Sequence, residues 1–342
     1  MKIVVLAGGT STERDVSLSS GCQIYKALKT KNHNVILLDI FLGFNGEVST
    51  AFETNRDWAQ DIAPVKETAP DLEQLKALRK DDSKSLFGPN VLELCARADI
   101  VFMALHGDSG ENGKVQAAFD LFGIKYTGTD ALSSAIAMDK SFSKQLFTAN
   151  GIKTPESILL TKKEDVLPHK LPCVVKICSG GSSVGVYIAK NQQEFDCAIE
   201  QAFNYENKVL IEDYIQGREF TDGVIEGVPL PVVQIEPKEG FYDYKNKYQA
   251  GSTIETCPAN ITKELEEKIK ATAVKVYKTL GIRTYARVDF MVDSEDNVFC
   301  LEANTLPGMT PTSLIPQEAA VLGKSFAELC EWIIDISLKK YY

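Results

Sequence analysis

Apolar residues along the chain fall into two periods. Short unbroken runs at 3–7, 35–40 and 100–105 have the length and aliphatic content of strands buried on both faces. The first run passes through Gly8-Gly9-Thr10-Ser11 into a helical stretch that starts near Asp15-Val16-Ser17 and reaches about Leu28, before the second run begins. This order of strand, glycine turn, helix and strand is how a doubly wound α/β sheet opens. Residues 43–90 are more polar and carry Pro64, Pro70 and Pro89, so they read as an insertion with a helix near 71–80. The third run ends in His106-Gly107-Asp108-Ser109-Gly110-Glu111-Asn112-Gly113. Open α/β sheets place ligands at such strand ends, although a plain surface loop has the same composition. A helix at 114–122, a short strand near 124–127 and Gly128 close a first domain.

The pattern then changes. A helix is expected over 130–149, ending at Asn150-Gly151. The strand 171–177 carries Lys176 near its end and runs into Cys178-Ser179-Gly180-Gly181-Ser182-Ser183-Val184-Gly185-Val186. Backbone N–H groups and two hydroxyls on such a loop can fold over a polyphosphate. No Gly-Lys-Ser/Thr opens a helix there, so it is not a Walker loop, and a glycine-serine hairpin without a ligand stays open. A helix at 191–203 and a strand at 208–213 follow, leading into Tyr214 and Ile215. Next come Gly217-Arg218-Glu219-Phe220-Thr221 and several strands to Gln234. The segment 241–248 holds four aromatics with few aliphatics, the composition of a lid or contact loop. Leu265, Ile269, Ala273, Val276 and Leu280 make the stripe of a helix at 261–280, and further helices are expected around Ile315 and over 325–339.

One hairpin organises the last third. Two apolar runs within 284–305 flank the turn Asp293-Ser294-Glu295-Asp296-Asn297. Residues two apart on a strand share a face, which pairs Arg287 with Asp289 and Glu302 with Asn304. Burying these groups requires charge balance, and hard oxygen donors on a rigid hairpin suit Mg2+. An edge hairpin with its charges in solvent is the other reading.

Composition narrows the class. At 342 residues the chain is long enough for two or three domains, and 44% hydrophobic with 25% charged residues is ordinary for a globular protein. A net charge of −10 argues against a general nucleic-acid binder. Eight cysteines are scattered without a Cys-x-x-Cys pair, and most lie in apolar runs, as buried thiols of a reducing compartment do. Three histidines offer little for zinc. The run at 3–7 is too short for a signal peptide, and no stretch approaches the ~20 apolar residues of a membrane helix. A cytoplasmic protein without nucleic-acid or membrane partners is expected.

Five motifs in order carry a resemblance that covers nearly the whole chain. They are Gly-Gly-Thr-Ser-Thr-Glu-Arg-Asp-Val-Ser (8–17), Ala-Leu-His-Gly (104–107), Met-Asp-Lys (138–140), Gly-Ser-Ser-Val-Gly (181–185) and Glu-Ala-Asn-Thr-Leu-Pro-Gly-Met-Thr (302–310). Together they resemble the D-alanine–D-alanine ligase family of the ATP-grasp superfamily. The resemblance implies an α/β protein of three domains: an N-terminal doubly wound parallel sheet (1–128), then central (129–214) and C-terminal (215–342) α+β domains with ATP sandwiched between them. By the same resemblance Lys140, Lys176, Ser183 and Lys247 would meet phosphates. Glu212, with Tyr214 and Ile215, would meet adenine, and Glu219 the ribose. Asp289, Glu302 and Asn304 would ligate Mg2+, two ions in all, with Mn2+ as a substitute. Arg287 and the Gly308 N–H would face the carbonyl oxygen under attack. Glu13, Ser182 and Tyr248 would surround the first D-alanine, His106 its carboxylate, and Ser313 and Leu314 the second substrate. The implied activity joins two D-alanines through an acyl phosphate, for peptidoglycan precursor synthesis, in a homodimer. Tyr248, Val184 and Leu314 resemble the dipeptide-forming members, whereas relatives that make the D-lactate ester carry histidine at the tyrosine position. Ile177, Ser179-Gly180 and Lys245 depart from the family pattern and leave a D-serine acceptor open. A non-catalytic ATP-binding module of the same fold and a nicotinamide-dependent oxidoreductase are the rivals. The second of these is suggested by the opening turn and Asp39.

Overall fold

The computed structural model describes residues 1–342 apart from 61, 63–70, 80, 82, 167–168, 182, 239, 241–250 and 311–312. The expected lid at 241–248, with Lys247 and Tyr248, and Ser182 lie outside the described residues.

The three apolar runs form a parallel sheet, β1 (Lys2–Ala7), β2 (Asn34–Asp39) and β3 (Ile100–Met103), in the order β2-β1-β3. Both faces are covered, which is why the runs are continuous rather than alternating. Ile3, Val5 and Ala7 pack towards α1 (Arg14–Thr30). The short α2 (Leu72–Ala77) follows in the insertion. Val4 and Leu6 pack on the other face, with Val91 and Leu94 of α3 (Val91–Arg97). Past α4 (Asp108–Glu111), Val115 and Phe119 of α5 (Lys114–Phe122) join that second cluster. The expected strand near 124–127 is reduced to one bridge between Val101 and Tyr126. At the end of β2, Asp39 pairs with Arg14 and accepts from the backbone N–H of Phe41 and Leu42. That carboxylate is committed to the turn, which removes the support it lent to a nicotinamide site.

The helix expected over 130–149 is two helices, α6 (Ala131–Met138) and α7 (Lys140–Ala149). Asp139 breaks it. Its backbone is extended and its side chain accepts from the N–H groups of Ser141 and Phe142, capping a new helix. The periodicity on either side hides this break, which sets Lys140 at a helix start.

A four-stranded antiparallel sheet follows, with β4 (Ser157–Leu160), β5 (Cys173–Ile177), β6 (Val186–Ala189) and β7 (Val209–Asp213) in the order β4-β7-β5-β6. Cys173, Val175, Ile177 and Ile211 face α8 (Gln192–Tyr205). By strand alternation Val174, Lys176, Val186, Ile188 and Glu212 take the opposite face.

The third sheet contains β8 (Arg218–Ile225), β9 (Val228–Pro229), β10 (Val233–Pro237), β11 (Thr253–Thr256), β12 (Tyr285–Val292) and β13 (Val298–Asn304). Its order is β11-β10-β8-β12-β13, with β9 paired to β8. Helix α9 (Lys263–Thr279) buries Leu265, Ile269, Ala273 and Val276 against one face. Helix α10 (Leu314–Val321) lies near β8, with Glu318 accepting from the Gly223 N–H at 2.9 Å. Helix α11 (Phe326–Lys339) returns to the first sheet, where Leu329, Ile333 and Ile334 join the cluster of Ile3 and Val5. All eight cysteines are free thiols, six of them buried. Among the described residues no helix is long and apolar enough to cross a membrane.

Candidate active site

The hairpin β12–β13 turns its alternation into chemistry. Ala286, Val288, Phe290 and Val292 enter the core beneath α9, so Arg287, Asp289 and Met291 face the other way. Asp289 stands directly across from Glu302, and Arg287 from Asn304. One feature escapes simple alternation. The register slips between Asp289 and Phe290, so Phe290 pairs with Cys300 and Leu301 is the extra residue of a β-bulge. Cys300 and Ala303 still point into the core, and Leu301 and Glu302 stand side by side on the outer face.

Two neighbouring carboxylates need cations, and the structure supplies them. Arg287 grips Asp289 with a two-pronged contact, Nε to Oδ1 and Nη2 to Oδ2, each at 2.8 Å. Thr221 donates to the same Oδ1 at 2.6 Å. Lys140 sits 3.0 Å from Glu302 and donates to the Gly180 carbonyl at 2.6 Å. Burial disfavours the Lys140 ammonium, but the Glu302 carboxylate outweighs it and holds the lysine above its ordinary range. Asn304 accepts from the Leu306 N–H at 3.1 Å. Among the described residues no three His, Cys, Asp or Glu side chains gather into a metal-type cluster. The set Asp289, Glu302 and Asn304 has two carboxylates and one amide oxygen on one face. It fits Mg2+, which takes one or two carboxylates and leaves the rest to phosphate and water.

Two cavities meet at this edge. The larger, about 390 Å³, lies between the faces of the second and third sheets. Its walls are apolar: Val174, Val186 and Ile188 on one side, Ile235, Met291 and Leu301 on the other. Lys176, Ser183, Glu212, Tyr214, Ile215 and Glu219 line it too. Glu212 is 2% exposed and is held by two ammonium groups, Lys176 at 2.8 Å and Lys144 at 2.9 Å. Burial would raise its pKa, but the two lysines prevail and keep it ionised, below the usual carboxylate range.

The smaller cavity, about 250 Å³, lies between the first sheet and the third. Glu13, His106, Arg287, Gly308, Ser313 and Leu314 line it. Glu13 stands against two glycines. A Cβ at Gly107 would come within 2.6 Å of its Oε2, and one at Gly181 within 2.9 Å. Both loops therefore need glycine so that the carboxylate can sit between them. His106 is buried, with its Nε2 3.1 Å from the Ser20 hydroxyl, and burial lowers its pKa towards the neutral ring. Ser313 occupies the N-cap position of α10 without capping it, since its hydroxyl instead accepts from the Thr310 N–H at 3.0 Å. Lys140, Gly180, Gly181 and Glu302 line both cavities and mark their junction.

The larger cavity is thus an apolar slot with charged ends that opens onto a smaller polar chamber. The chain matches the family model described as D-ala D-ala ligase N-terminus over residues 2–129 and the one described as D-ala D-ala ligase C-terminus over 145–335. The chain belongs to the D-alanine–D-alanine ligase family. The D-alanine--D-alanine ligase of Pediococcus pentosaceus is 43% identical, covering 98% of this chain and 97% of that one. The ligase of the same name from Lacticaseibacillus casei is also 43% identical, with 100% and 97% covered. The crystal structure of D-alanine--D-alanine ligase from Bacillus anthracis superposes with a TM-score of 0.76 at 33% identity, covering 99% and 98% of the two chains. The VanG D-Ala:D-Ser ligase from Enterococcus faecalis gives 0.73 at 30% identity, covering 98% and 99%.

Every candidate from the family motifs that lies among the described residues lines one of the two cavities. Three further ionisable residues stand in this neighbourhood outside the family motifs. Glu111, in the His106 loop, is buried in the smaller cavity and accepts from the Gly107 N–H at 2.9 Å. Burial, reinforced by Glu13, pushes its carboxyl up to about 8. Glu255 of β11 also borders that cavity. Lys144 stands behind Glu212. Its signal was present in the sequence, because Lys140, Lys144 and Phe147 form one stripe of α7.

Proposed function

We propose that the protein is an ATP-dependent carboxylate–amine ligase that joins two D-alanines into D-alanyl-D-alanine for peptidoglycan precursors. The observation that carries this reading is the junction of the two cavities, where Lys140 and Glu302 line both. A nucleotide whose base lies between Val186, Ile188, Met291 and Leu301 would present its γ-phosphate at that junction. There Lys140 and Lys176 supply positive charge to the phosphates. Glu212, with Tyr214 and Ile215, receives the adenine, Glu219 the ribose hydroxyls, and Ser183 the phosphates.

The first D-alanine then lies in the smaller cavity, its ammonium towards Glu13 and its carboxylate towards the junction. That carboxylate attacks the γ-phosphate, giving an acyl phosphate and ADP. The second D-alanine, held by Ser313 and Leu314, gives up one ammonium proton to solvent, its amine attacks the acyl carbon, and phosphate leaves carrying the second proton lost by the nitrogen. Arg287 and the Gly308 N–H are the donors for the oxygen that gains charge in the tetrahedral intermediate. A buried neutral His106 beside the first substrate offers polarity without a competing charge. By family resemblance Lys247 and Tyr248 belong to the covering loop at 241–248, and Ser182, from the glycine-serine loop after β5, links the first D-alanine to it. Mg2+ held by Asp289, Glu302 and Asn304 would neutralise phosphate charge as the γ-phosphoryl group moves. Positioning and exclusion of water supply the rest, because water would hydrolyse the acyl phosphate.

The test is ADP and phosphate release with Mg-ATP and D-alanine, run against L-alanine. Release with D-alanine alone among the two is the expected result, and no release with either refutes the reading. Adding D-serine or D-lactate to a limiting donor measures acceptor choice, and the D-Ala:D-Ser relative makes D-serine the informative competitor. By the same family resemblance we assign the domains as 1–128, 129–214 and 215–342, and the protein as a cytoplasmic homodimer with two metal ions. Light scattering at micromolar concentration and metal titration by calorimetry check the dimer and the ion count.

A further inference from the structure

Helix α7 has an unusual buried stripe. Positions 140, 144 and 147 lie on one face, and the inward face of a helix normally carries apolar residues. Phe147 obeys that rule, while Lys140 and Lys144 do not, and all three are buried. Lys140 has a place in the site at the junction of the cavities. Lys144 lines neither cavity. It sits behind Glu212, 2.9 Å from Oε1, and donates to the Thr154 hydroxyl at 2.7 Å. Its side chain is 4% exposed.

Glu212 thus has one ammonium on each oxygen, Lys144 at Oε1 and Lys176 at Oε2. Two cations for one carboxylate are one more than neutrality requires. Burial, opposed by Glu212 and aided by Lys176, brings Lys144 down to about 8. Such an arrangement is costly unless one of the cations has another place to go. Lys176 does have one, since it lines the nucleotide cleft and a phosphate there would draw it away. Lys144 does not, because it points from the core to the back of Glu212.

We propose that Lys144 is a positioning residue for nucleotide recognition. It keeps Glu212 ionised and fixed when Lys176 turns to the phosphates, so that the carboxylate can accept the exocyclic amino group of adenine. This rests on the assignment of Glu212 to adenine. The Lys144–Glu212 pair then remains when Lys176 meets a phosphate.

The experiment compares ATP with ITP, whose base carries a carbonyl in place of the amino group, in D-alanine-dependent ADP release. The wild-type protein should prefer ATP in kcat/KM. Lys144→Met should raise KM for ATP by about tenfold to a hundredfold, the worth of a hydrogen bond to a charged group, and erode the ATP:ITP preference. KM for D-alanine should stay within about twofold, because Lys144 does not border that cavity. Glu212→Gln should collapse the preference, since an amide can accept from adenine or donate to hypoxanthine. In the Glu212→Gln background, Lys144→Met should add nothing to KM for ATP, because a neutral amide needs no counter-cation. Thr154→Val, which removes the hydroxyl that accepts from Lys144 and keeps its shape, should move KM for ATP the same way by about twofold to tenfold. It gives the readout independently if Lys144→Met fails to fold. An ATP:ITP preference unchanged in Glu212→Gln overturns both the adenine assignment and the proposal. A preference lost in Glu212→Gln but unchanged in both Lys144→Met and Thr154→Val overturns the proposal alone. So do fully multiplicative effects in the double variant.

Discussion

Replacing Arg287 by alanine separates two roles that the geometry allows it to combine. A guanidinium has five N–H donors. Two of them, at 2.8 Å each, are committed to Asp289, and the side chains are 14% and 10% exposed. Loss of the pair leaves Asp289 with its Thr221 hydrogen bond, so the stability loss should be modest, about 1–3 kcal/mol. Loss of an oxyanion donor should cost far more in turnover, about 10²–10³ in kcat, equivalent to roughly 2.7–4 kcal/mol of barrier. The assay is D-alanine-dependent phosphate release at saturating Mg-ATP, with a thermal melt on the same preparation. Arg287→Lys refines the result. A single ammonium cannot hold both Asp289 oxygens and also face the acyl carbon, so this variant should recover much of the melting temperature and little of the turnover. Near wild-type turnover in Arg287→Ala, with only the melting temperature lowered, would refute the catalytic role. Arg287 would then be a structural partner of Asp289.

Leu301→Ala should raise KM for ATP by about tenfold, the worth of a half-lost apolar contact, and leave KM for D-alanine unchanged. Leu301 lines the larger cavity and not the smaller one, so equal changes in both constants would argue against a nucleotide slot there. Glu111 makes a prediction about pH. Its carboxyl is raised from an ordinary 4.5 to about 8, first by burial and then by Glu13. The folded state therefore holds a proton that the unfolded chain has released. The stability this confers is complete below about pH 4.5 and is lost as pH rises towards 8. The melting temperature of the wild-type protein should accordingly fall faster between pH 5 and 9 than that of Glu111→Gln, which has nothing to ionise. Parallel curves would mean that Glu111 is charged throughout.

Much of this protein was legible as a string. Strands buried on both faces read as unbroken aliphatic runs, so 3–7, 35–40 and 100–105 were found. The stripe Leu265, Ile269, Ala273 and Val276 marked its helix because one face alone is buried. Strand alternation placed Arg287 with Asp289 and Glu302 with Asn304 before any contact was known. Edge strand β4 is not legible in the string, since three of its four residues are exposed and their side chains need no buried face. The break at Asp139 is invisible in the string because a cap replaces backbone hydrogen bonds without disturbing the periodicity around it.

Other features exist only once the chain is folded. The bulge at Leu301 depends on how β13 pairs with β12, and pairing is not written in either strand alone. It sets an apolar side chain and a carboxylate next to each other, facing the nucleotide slot. The meeting of Glu13 with Gly107 and Gly181 joins segments about 170 residues apart, and its reason is steric. Lys144 was visible as a lysine four residues after another. Its meaning came from Glu212, more than sixty residues later in the chain, brought to 2.9 Å by a different sheet. The sequence by itself determined which residues are ionisable, which are apolar and, away from the bulge at Leu301, which strand face each takes, because those follow from side-chain chemistry and backbone period. The tertiary structure decided which charges share a partner and which cavities share a wall, because burial and long-range pairing are properties of the packed chain.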